Sequence, residues 1–90
     1  MILIDEAVWP NHGTVWGHLV SDTSLDELHA FARRAGMPER GFDHDHYDYP
    51  LERRDQLIDL GAEPVTGREL LRRLQLAGLR VRQRDKRPQR

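Results

Sequence analysis

Apolar and polar positions divide the chain into alternating strand-like and helix-like stretches. The run "ILI" at residues 2–4 is continuously apolar, which suits a strand buried on both faces of an α/β sheet, with Asp5 and Glu6 standing where it emerges. After the turn cluster "PNHG", the segment "TVWGHLVSD" alternates, placing Val15, Gly17 and Leu19 on one face and Trp16, His18 and Val20 on the other. "SLDE" reads as a capping box with Ser24 as cap and Glu27 three residues on. In the helix that follows, Leu25, Leu28, Phe31, Ala32 and Ala35 share one arc, and Gly36 then Pro38 end it.

The second half continues the pattern. "FDHDHYDY" is a short strand or extended segment, and Pro50 opens a helix over "PLERRDQLIDLG" that buries Leu51, Leu57 and Ile58 and stops at Gly61. "AEPV" is a short strand, and "TGRE" a second capping box, Thr66 with Glu69. Leu70, Leu71, Leu74 and Ala77 line the inner face of the last helix, which Gly78 closes. The order strand, strand, helix, strand, helix, strand, helix predicts a small single α/β domain over residues 1–80. Its sheet is expected to be mixed or mostly parallel, with about four short strands and three helices. Residues 81–90, with no apolar side chain after Val81, are expected to form a basic, disordered tail.

Composition narrows the options. Ninety residues with 38% apolar and 32% charged side chains give a thin core, for which a homodimer would add burial. With no cysteine, disulfides and thiolate ligands are excluded, so any metal must be held by histidine and carboxylate. The N-terminal stretch lacks a basic region and a small-residue cleavage site, and no run reaches membrane-spanning length; a cytoplasmic protein without membrane contact is expected. Residues 1–63 hold thirteen acids and five bases, whereas residues 64–90 hold two acids and nine bases. That basic end offers a salt-sensitive contact to nucleic acid through Arg68, Arg72, Arg73, Arg80, Arg82, Arg84, Lys86, Arg87 and Arg90.

Three segments, "WGHLVSDTSLDELHAFARRAGMP", "HYDYP" and "LGAEPVTGRELLRRLQLAGL", together resemble the bacterial and phage family known as domain of unknown function 4031. The resemblance covers roughly residues 1 to 80 and implies a common fold; the family brings no established activity with it.

The chemistry must therefore come from the residues. In α/β sheets ligands gather beyond the carboxyl ends of strands, where Asp5, the His18–Asp22 segment and the "HDHYD" loop are expected to meet. His18 would act as base or ligand, oriented by Asp22, and Asp5 would be a further catalytic carboxylate of the pocket. His44 and His46, two apart in an extended segment, would form a ligand pair with Asp48 for a divalent metal: Zn, Mn, Fe or Ni. Asp48 can equally cap the following helix, and His18 can equally be a satisfied histidine at the core edge. Trp16 and Tyr47 are the candidate walls, aromatic residues that also suit a core, while His29 sits where packing is the simpler role. No nucleophile elbow and no glycine-rich phosphate loop is present. The expected function is hydrolase-like chemistry or small-ligand binding at this pocket, on a phosphate-containing substrate and metal-assisted or not. The alternative is a non-catalytic nucleic-acid-binding or protein-interaction domain using the basic C-terminal helix and tail.

Overall fold

The computed structural model describes residues 1–82. Its elements are β1 (Ile2–Ile4), β2 (Trp9–Asn11), β3 (Thr14–Ser21), α1 (Leu25–Arg34), β4 (Phe42–Asp43), β5 (His46–Pro50), α2 (Arg54–Asp59), β6 (Glu63–Pro64) and α3 (Gly67–Leu76). The strands form one sheet in the order β4-β5-β3-β1-β6, with β2 also paired to β3. Among the described residues only β1 and β6 run parallel; every other pairing is antiparallel. The α/β class, the mixed sheet and the three helices are as expected. The additional strands are the three-residue arm β2 and the two-residue β4, both too short for periodicity to reveal.

Side-chain alternation divides the sheet into two faces. Ile2, Ile4, Leu19, Tyr47 and Tyr49 join Leu28, Phe31, Ala32 and Leu57 in the larger core beneath α1 and α2. Leu3 and Val20 project the other way and pack on Leu70 and Leu74 of α3. The result is a three-layer arrangement with α3 alone on the second face. Both capping residues act as expected: Ser24 accepts from the Glu27 amide and Thr66 from the Glu69 amide. Each such cap contributes about 1 kcal/mol. Leu51 departs from expectation. It lies in a 3-10 turn ahead of α2 and is exposed, because the chain leaves β5 before the helix begins.

Gly17 sits where the two central strands meet the end of β1. A Cβ there would come within 2.6 Å of the Tyr49 ring and 2.8 Å of Asp5 Oδ1. The bare backbone thus lets Tyr49 cross beneath β3, where its hydroxyl donates to the Asp5 carbonyl at 2.5 Å. Arg54 Nη1 donates to the same carbonyl at 2.7 Å, so the end of β1 is held from below by two donors.

Candidate functional site

The register of three adjacent strands builds a polar row on the α3 face. His18 on β3 is paired with Asp48 on β5, and the Asp5 amide donates to the His18 carbonyl at the end of β1. Two residues toward α3 the same face carries Leu3 and Val20, which are fully buried. The row therefore lies where the helix stops covering the sheet and a polar group can meet both solvent and a dry wall.

Asp5 serves His18 twice. Its Oδ1 accepts from the His18 amide at 2.6 Å and its Oδ2 lies 2.8 Å from His18 Nδ1. That carboxylate is nearly buried, whereas His18 is 43% exposed. On β5, His46 Nδ1 lies 2.6 Å from Asp45 Oδ1, and Nε2 approaches Asp48 Oδ1 at 3.1 Å. Asp45 is itself buried, and its other oxygen accepts from the Val81 amide at 2.8 Å and from Arg80 at 3.2 Å. The two imidazole rings meet edge-on with centroids 5.0 Å apart.

The electrostatics follow from this wiring. Burial disfavours a charged His46, but the hydrogen bond to Asp45, the close approach of Asp48 and the negative charges of both outweigh it and raise its pKa to about 9. Burial likewise disfavours a charged Asp45, yet His46, the Val81 amide and Arg80 bring it down to about 2. One oxygen stands apart. Asp48 Oδ1 is buried and, among the described residues, has no hydrogen-bond partner, since its close approach to His46 lies off the N–H direction. Buried carboxylate oxygens are ordinarily paired, which makes this one available as a ligand atom.

One ligand atom each from His18, His46 and Asp48 falls within 4.8 Å of the others, close enough that the three could hold a single metal ion. Asp5 and Asp45 engage Nδ1 of the two imidazoles, so a metal would be offered Nε2, with the carboxylates in the outer-shell positions that orient metal-binding histidines. A pocket of about 300 Å³ adjoins this group, walled on one side by Asp5, His18, Asp45 and His46. Leu70, Leu71 and Leu74 of α3 line it from the helix side, and Arg80 lines it as well.

Of the residues expected from sequence, Asp5, His18, His46 and Asp48 come together. Four others do not take their expected places. Asp22 lies at the far end of β3, where its carboxylate contacts the N-terminal ammonium at 2.9 Å and Arg73 at 2.5 Å. Burial there opposes ionisation, but those partners and Thr23 outweigh it and hold the carboxyl below its ordinary range. Asp5, not Asp22, orients His18.

His44 is the second correction. It occupies the two-residue turn between β4 and β5 with φ +58° and contacts its neighbour Asp43 at 2.5 Å. Residues two apart share a face only in an extended strand, so His44 and His46 are not a ligand pair. Tyr47 is the third. It points to the α1 face, is 1% exposed and bonds His29 Nδ1 through its hydroxyl at 2.7 Å, because strand alternation separates it from His46 and Asp48. His29 has the packing role expected, tilted against Phe42 at 4.6 Å. Trp16 is on the correct face but outside the pocket, its indole N–H donating to the Asn11 carbonyl.

Asp45, the middle residue of "HDH", is a member of the centre that the sequence pattern does not single out. The clue was its acid type next to a histidine in a turn. Of the basic C-terminal residues, Arg72, Arg73 and Arg80 are paired with Glu69, Asp22 and Asp45. The tail beyond residue 82, with Arg84, Lys86, Arg87 and Arg90 and its expected disorder, lies outside the described residues. No helix among those described is long and apolar enough to cross a membrane.

Fold and site together define a small α/β domain with a histidine–carboxylate centre on the sheet face that α3 half covers. The chain belongs to the family described as Protein of unknown function (DUF4031), whose profile matches residues 2–77 and so includes every member of the centre except Arg80. No curated protein and no solved structure matches the chain.

Proposed function

We propose that the domain binds one divalent transition metal through His18, His46 and Asp48 and uses it on a small substrate in the adjoining pocket. The observation that carries this reading is the convergence of three ligand atoms within 4.8 Å, with a carboxylate already on the outer nitrogen of each imidazole. Two imidazoles and one carboxylate suit zinc, iron, manganese or nickel, and three protein ligands leave a coordination position open. A metal held this way polarises a substrate oxygen and makes bound water more acidic. Hydrolysis of a small phosphate-containing substrate fits those properties and needs no side-chain nucleophile. In that reaction Asp5 and Asp45 fix the imidazole orientations, and the α3 leucines exclude water from one side.

A second reading is favoured by one observation, the carboxylates at both nitrogens of His46. They favour an imidazolium beside a carboxylate-oriented His18, the arrangement of a metal-free acid–base pair. Metal analysis of protein purified without a histidine tag separates the two. The metal reading predicts about one ion per chain, with affinity reduced at least ten- to a hundredfold by Asp48→Asn, the scale for losing even an outer-shell partner. Substoichiometric metal that is indifferent to His18→Ala and Asp48→Asn would leave only the acid–base reading.

A further inference from the structure

We infer that the pocket takes a small amphipathic anion: an oxyanion head group, phosphate or carboxylate, on a short apolar body. The inference rests on the proposed metal centre for the position of the head and adds the class of ligand. Its first support is the contrast between walls. The sheet side presents Asp5, His18 and His46, whereas the helix side presents Leu70, Leu71 and Leu74. Leu70 and Leu74 are buried by the fold, but Leu71 is 39% exposed and still lines the pocket. Leu71 and Leu76 are the exposed leucines of α3, and of the two Leu71 lines the pocket.

The second support is charge. Among the described residues Arg80 is the sole cationic side chain lining the pocket apart from the imidazoles. Its Nη1 is held by Asp45 and the Val81 carbonyl, which fixes the guanidinium plane, while Nε and Nη2 make no hydrogen bond among the described residues. A planar, immobilised guanidinium with donors to spare is suited to an oxyanion. Asp5 and Asp45 on the same wall disfavour a second negative group, which selects one head over a polyanion. A volume of about 300 Å³ is at the small end for ligand pockets and suits a compact body.

The test uses full-length, tag-free protein loaded with one equivalent of zinc and titrated calorimetrically with n-alkyl phosphonates and n-alkyl carboxylates of increasing length. Affinity should rise about fourfold per methylene until the pocket fills, the equivalent of ~0.8 kcal/mol per buried methylene. Leu71→Gln, at a position exposed enough to leave the fold intact by circular dichroism, should flatten that rise while leaving zinc affinity unchanged. Arg80→Gln should weaken both series roughly ten- to a hundredfold without altering the increment per methylene, as expected for a bond to a charged group. The stronger series identifies the head. Affinity independent of chain length, or an undiminished increment in Leu71→Gln, overturns the inference even if zinc binds. If zinc fails to bind, the metal reading falls, and the same titration on zinc-free protein decides the ligand class: a persisting increment upholds it, and no binding overturns it.

Discussion

Replacing Asp45 by Asn probes the most deeply placed part of the centre. Asp45 is 1% exposed and His46 12%, so their contact is little screened by solvent. The His46 pKa of about 9 stands well above its ordinary value, and the Asp45 pKa of about 2 stands below its own. At about 1.4 kcal/mol per unit these correspond to roughly 3 and 2 kcal/mol. The two differ because His46 also has Asp48 and Asp45 also has Arg80 and Val81; being one shared interaction, they do not add. The smaller figure, roughly 2 kcal/mol, bounds the pair. His46 is raised, so its contribution is complete below its ordinary pKa of 6.5 and is lost as pH climbs through about 9. Asp45 is depressed, so its contribution is complete above 3.8 and is lost as pH falls through about 2. Urea unfolding of metal-free protein across this range should therefore show Asp45→Asn less stable by roughly 2 kcal/mol between those limits, with the deficit shrinking on the alkaline side. A deficit of the same size at every pH would refute the charged pairing.

Three further outcomes follow. Gly17→Ala should destabilise the domain by about 1–3 kcal/mol in the same urea assay and weaken zinc binding, since its Cβ collides with both Tyr49 and Asp5. Asp22→Asn should cost about 1–3 kcal/mol of stability through its contacts with Arg73 and the N-terminus, yet leave zinc affinity unchanged in a competition assay. Zinc uptake near neutral pH should release close to one proton, because His46 must surrender one to ligate; calorimetry in buffers of different ionisation enthalpy measures it.

Much of the scaffold is legible in the chain. Ser24 and Thr66 announce both long helices because capping is local chemistry, and the alternation through "TVWGHLVS" correctly assigns His18 to the face opposite Leu19. The site is legible only in part. The same period of two, followed from His46, puts Tyr47 and Tyr49 in the core and Asp48 beside the imidazole; the expected wall at Tyr47 ignored that alternation. His44 could not be placed from spacing, since the turn at residues 44 and 45 ends the strand one residue before the pair would share a face. Asp22 and Asp5 are both acids near a strand end. Their difference lies in the antiparallel pairing of β1 with β3, which sets Asp5 beside His18 and Asp22 beside Met1, a long-range fact no local pattern carries.

The claim on which the rest depends is that His18, His46 and Asp48 share one ion. Anomalous diffraction from a crystal of the zinc-loaded protein addresses it most directly. A single strong peak is expected about 2.0–2.2 Å from one nitrogen of each imidazole and from the Asp48 carboxylate, the distances zinc adopts with these ligands. A peak beside Asp43 and His44 instead, or zinc bound only at unrelated surface positions, would contradict it.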